Sequence, residues 1–85
     1  MRPLYEIAQE IKANWNRYES GTEMFFGAKP YVQAMASLDS IEDNYLLDSG
    51  RSVVAYFLSN AATWRGETAR RIKAELRQML KEKRP

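Results

Sequence analysis

Cysteine and histidine are both absent from this chain. Without cysteine there is no disulfide and no thiolate nucleophile, and without histidine there is no imidazole to act as a general base near neutral pH. Together the two absences exclude the Cys/His zinc and iron sites, and no cofactor or metal is expected. Long apolar runs are missing too. The opening "MRPLYEIAQE" is neither a signal peptide nor a membrane anchor, so a cytosolic protein with no membrane partner is expected, and the lack of cysteine suits a reducing compartment. Glycine is sparse and isolated, at Gly21, Gly27, Gly50 and Gly66, so no glycine-rich loop cradles a phosphate or a dinucleotide. Length is short as well. Eighty-five residues make a single domain, 1–85, which buries only about 60% of its unfolded surface. Close helix packing or a homodimer must supply what so thin a core lacks.

Charge is plentiful and unevenly placed. Residues 1–64 carry five cations against eight carboxylates, net −3, whereas residues 65–85 carry eight cations against three carboxylates, net +5. A helix dipole favours cations near a C-terminus, but the basic run begins as early as Arg65.

Apolar periodicity of 3.6 residues predicts four main helices joined by short loops: an all-α fold, a compact four-helix bundle or an orthogonal helical array. In the first, Leu4, Ile7, Ala8, Ile11, Trp15 and Tyr18 share a face, and "SGT" at 20–22 ends it. A second helix is predicted over about 29–38, with Pro30 in its first turn and Tyr31, Ala34, Met35 and Leu38 inward. Met24, Phe25 and Phe26 are expected to plug an end of the core; left outside, they would mark an interface. Residues 39–50 read as an acidic loop ending in Asp48 or Ser49 as an N-cap. The third helix buries Val53, Val54, Phe57, Leu58 and Ala61, with Tyr56 at the border. The fourth runs from between Thr63 and Gly66 to about Lys83 on a stripe of Ala69, Ile72, Leu76, Met79 and Leu80.

On that last helix Arg70, Lys73, Arg77, Lys81 and Arg84 fall on one line, with no acidic partner inside the helix. Glu67–Arg71 and Arg71–Glu75 are spaced for i,i+4 pairs on another face. The bland reading of such a stripe is a solvated face; the sharper one is a surface for something negative. The stretch "SNAATWRGETARRIKAEL" joins Trp64 and Arg65 to it. Trp64 is expected to pack over the corner between the third and fourth helices, its N–H on a freed carbonyl, with Gly66 allowing close backbone approach. Arg65 is expected to stack on an aromatic or pair with Asp43 or Asp48. The alternative makes the corner an exposed aromatic–arginine anchor, the residue types that dominate interfaces.

Other chemistries fail on spacing. Ser49 and Ser52 sit in a capping context with no lysine signature. Counted from Asp39, a calcium loop would need a ligand at Ile41, glycine at Asn44 and glutamate at Gly50. The third and fourth helices suggest a helix-turn-helix, but the basic row extends along the whole helix instead of gathering at its start.

"AKPYVQAM", "DSGRSVVAYFLSNAATWRGETARRIKAEL" and "PLYEIAQEI" resemble a group of small proteins encoded in tailed-phage and prophage genomes, and the similarity covers most of the chain. The resemblance implies an accessory protein made inside an infected bacterium. By analogy with anti-CRISPR proteins, it implies one that binds and disables a host or defence protein. It assigns no site residues. The expected function is therefore a non-enzymatic protein-binding module, with Trp64, Arg65, Arg70, Lys73, Arg77 and Lys81 as its partner-binding residues. The alternative is a nucleic-acid binder that lays the same basic row on phosphates. Alanine at Arg70, Lys73 and Arg77 is expected to weaken the partner and spare the fold.

Overall fold

Proline at position 3 cannot donate, and its extended backbone (ψ 150°) delivers the chain into α1 (Leu4–Asn14) with no side-chain cap. The first amides of α1 are satisfied from elsewhere. Leu4 N–H donates to the Asp39 carbonyl at 3.0 Å and Tyr5 N–H to that of Leu38 at 2.9 Å, which ties the helix start to the segment at 38–39. The computed structural model describes residues 2–82. The Arg84 end of the basic row and the predicted helix end at Lys83 lie outside the described residues.

α1 does not run on to Tyr18. It ends at Asn14, and Asn16 starts a four-residue helix, α2 (Arg17–Ser20), by accepting hydrogen bonds from the N–H groups of Tyr18 and Glu19. The break is local chemistry. An asparagine side chain offers backbone amides an alternative to the helical ladder, and the turn at Trp15 sends its ring inward. Tyr18 consequently stands 95% exposed instead of joining the core. Gly21, at φ 87°, closes α2.

A single 3-10 turn at Phe26–Ala28 leads into α3 (Lys29–Met35), with Pro30 in its first turn as predicted. Val32, Ala34 and Met35 are its buried residues, and Leu38 is buried just beyond it. Tyr31 instead lies half-buried against the Tyr56 ring, 5.5 Å away. Met24 also packs on the core, but Phe25 and Phe26 do not plug it. Phe26 is 76% exposed.

The acidic loop holds the one non-helical element among the described residues, a small antiparallel hairpin of β1 (Asn44–Tyr45) and β2 (Asp48–Ser49), paired Asn44 with Ser49 and Tyr45 with Asp48. Among the described residues the fold is therefore mostly helical, with five α-helices and this hairpin, rather than four helices alone. Ser49 caps α4 (Gly50–Ser59) by accepting from Ser52 N–H. Gly50 is required by space: a β-carbon there would lie 2.6 Å from the Ile41 carbonyl oxygen, part of the backbone. Gly50→Ala is expected to cost about 1–3 kcal/mol through forced backbone movement, readable as a lower midpoint in thermal denaturation.

α5 (Glu67–Lys81) buries Ala69, Ile72, Leu76 and Met79, with Leu80 half-buried. Arg51 closes its far end by donating to the carbonyls of Leu80 and Glu82 at 3.2 and 3.0 Å. The four longer helices touch in the cyclic order α1, α3, α4, α5 and back to α1. No helix among the described residues is long and apolar enough to cross a membrane.

The predicted pairs within α5 do not form. Glu75 instead receives a two-pronged hydrogen bond from Arg2, at 2.7 and 3.0 Å, and Arg71 turns to Glu10. Arg2 also reaches Glu10 at 2.8 Å, so α1 and α5 are joined by a four-residue charge network. A planar guanidinium with a forked match outcompetes a flexible pair along one helix. Burial raises the pKa of the Glu10 carboxyl, but the hydrogen bonds from Arg2 and Arg71 outweigh it and hold the group below its ordinary value of 4.5. Its contribution to stability is thus complete above about pH 4.5 and drains away as pH falls through the lowered folded value. Glu10→Gln is expected to flatten this acid limb in melts recorded between about pH 5 and pH 2.

Candidate functional site

Trp64 sits beneath the α4–α5 corner and not on its surface. Its ring is fully buried and stacks on Trp15 at 5.4 Å and 14°, while Phe57 meets both indoles edge-on at 6.2 Å. Its Nε1–H donates to Asn14 Oδ1 at 2.9 Å, a side-chain acceptor in place of the expected carbonyl. The ring expected among the partner-binding residues therefore has no exposed surface to offer a partner. Its stacking partner is less well provided for, since Trp15 Nε1 is buried with no hydrogen-bond partner.

What Trp64 offers the surface is its carbonyl, which accepts a hydrogen bond from Lys73 Nζ at 2.6 Å. Gly66 then turns the chain into α5 at φ 112°, a region open to glycine alone. Nothing lies within 4 Å of where its β-carbon would be. Gly66 thus serves backbone conformation and not the close approach expected of it. The turn swings Arg65 back toward α5.

A cleft of about 380 Å³ results, its base formed by Trp64 and Ala69 and its walls by Arg65, Arg70, Lys73 and Arg77. Four cations and no carboxylate line it. Contrary to the expectation that the row has no acidic partner inside its helix, Arg70 meets Glu67 at 3.2 Å, an open-water contact between two largely exposed side chains. Arg65 and Arg77 have no carboxylate partner among the described residues. The expected pairing of Arg65 with Asp43 or Asp48 does not occur, and Asp43 instead accepts from the N–H groups of Asp39 and Ser40. Burial pushes the pKa of Lys73 below its ordinary 10.5, and the positive charges of Arg77 and Arg65 push it the same way. Lys73 is thus partly desolvated first, and set beside two like charges second.

Of the residues singled out in the sequence, the structure brings Arg65, Arg70, Lys73 and Arg77 together over Trp64. Lys81 remains exposed on α5 outside the cleft. Beside the corner lies a shallow groove of about 120 Å³ formed by Phe25, Asn60, Ala62 and Thr63. The Phe25 and Phe26 rings stand 4.9 Å apart there. The sequence reading missed Leu46 and Leu47 at the hairpin tip, both strongly exposed. The turn-forming Asn44 and Asp48 around two leucines were the available signal.

No known protein family matches the chain, and neither a curated protein nor a solved structure is similar to it.

Proposed function

We propose that this chain is a non-enzymatic binding module whose working surface is the cationic cleft, and that its partner is a protein presenting clustered carboxylates. Support comes from how the arginines are matched. Arg2, Arg17, Arg51, Arg70 and Arg71 each meet a carboxylate, whereas Arg65 and Arg77 meet none among the described residues, and both face one cleft with Lys73 between them. Unmatched like charges held together are costly in the free protein and favourable against an oppositely charged surface, where they speed and orient encounter. The resemblance to small phage-encoded proteins supplies a context: an accessory protein of the host-cell cytoplasm that disables a host or defence protein, in the manner of anti-CRISPR proteins.

The exposed Phe25 and Phe26 rings near the same corner favour a second reading, a single-stranded nucleic acid with bases stacked on the rings and phosphates on the cations. Fluorescence anisotropy separates the two. A labelled glutamate-rich peptide is expected to bind at about 50 mM salt, while labelled duplex DNA and single-stranded RNA are not; nucleic-acid binding that falls by orders of magnitude at about 200 mM salt would replace the protein reading.

A further inference from the structure

A different face of the molecule carries an independent inference. β1 and β2 are joined by only two residues, Leu46 and Leu47. A two-residue hairpin loop with positive φ at its first central position ordinarily places glycine there. This chain places Leu46, at φ 55°, the one non-glycine residue with positive φ among those described. Neither leucine is covered: Leu46 is 84% exposed and Leu47 is wholly exposed. The tip thus departs from local preference twice, in backbone and in solvation, and adds nothing to the core. Departures of that kind gather where a segment does something other than fold.

The same chain holds a complementary surface. A cleft of about 310 Å³ between α1 and α3 is lined by Lys12, Met24, Lys29, Val32 and Gln33, and Met24 is its half-buried apolar residue, Val32 being fully buried. Neither lysine has a carboxylate partner among the described residues. The hairpin supplies the complement: two bare leucines at the tip, with the carboxylate of Asp48 beside them. We propose that the chain associates with itself, the Leu46–Leu47 tip of one copy seating against Met24 in the cleft of another, with the Asp48 carboxylate set against Lys12 and Lys29. One tip in one cleft is a small contact, whereas reciprocal seating doubles it and closes a twofold dimer.

Sedimentation velocity on the full chain tests this. Wild type is expected to shift from monomer to a larger species with rising concentration. Leu46→Gly with Leu47→Asn is expected to stay monomeric while melting no lower than wild type, because glycine and asparagine suit the turn. Lys12→Glu with Lys29→Glu, and Asp48→Lys, are each expected to weaken association, and an equimolar mixture of the two to recover it. A wild-type chain still monomeric at about 1 mM would overturn the proposal, and so would a Leu46→Gly, Leu47→Asn variant that associates as wild type does.

Discussion

Trp64→Ala is expected to leave much of the chain unfolded at room temperature. The ring has no exposed surface, stacks on Trp15 and donates to Asn14. Truncating a fully buried tryptophan costs about 3–5 kcal/mol through lost transfer energy and the cavity left behind. The Asn14 oxygen loses its partner as well. A domain this short has a total stability on the order of 5 kcal/mol, so one substitution consumes most of it. Circular dichroism melts check the result. A melting temperature about 15–30 °C lower, or loss of a cooperative transition, is expected, since each kcal/mol shifts a domain of this size by about 4–8 °C. A melt within a few degrees of wild type would mean that the three-ring cluster does not hold the corner. Trp64→Phe keeps part of the stacking and loses the N–H bond, and is expected to fall between the two.

The cleft is expected to behave in the opposite way. Alanine at Arg65, Arg70 and Arg77 together should weaken binding of a glutamate-rich peptide by about 10–100-fold, as three exposed charge pairs of modest individual value predict. Thermal stability should be unchanged or higher, because none of the three guanidiniums is needed by the fold and they repel one another and Lys73. Lys73 is kept in this variant. Its ammonium holds the Trp64 carbonyl, so removing it would mix a structural loss with a binding loss. A triple variant that loses stability, or one that binds the peptide as well as wild type does, would remove the cleft from its role. Loss of function with no loss of stability is what separates a surface kept for binding from one kept for packing.

How much of this was readable in advance differs from residue to residue. Leu4, Ile7, Ile11, Val53, Val54, Phe57, Ala69, Ile72 and Leu76 announced themselves by spacing, because a 3.6-residue period and burial are two views of one constraint. Tyr18 followed the same period and is exposed, since periodicity takes no account of Asn16 restarting the helix. Arg71 and Glu75 had the correct i,i+4 spacing and chose Glu10 on α1 and Arg2 just before it, which depends on how helices lie side by side. The hairpin was hidden because each strand has only two residues, too few to show alternation. At the site, the row Arg70, Lys73, Arg77 was visible on one helix. What the sequence did not show was that Gly66 returns Arg65 to the same cleft, or that Trp64 lies under it and offers a carbonyl instead of a ring.

The central claim is that these four cations form one anion-binding surface. Its most direct test is a two-dimensional amide NMR titration with the glutamate-rich peptide, run beside a glutamine-rich peptide of the same length. Shifts confined to Arg65, Gly66, Arg70, Lys73 and Arg77, seen only with the charged peptide, are the expected result. Shifts spread along Lys12, Lys29 and Lys81 alike, or shifts of equal size with the neutral peptide, would contradict it.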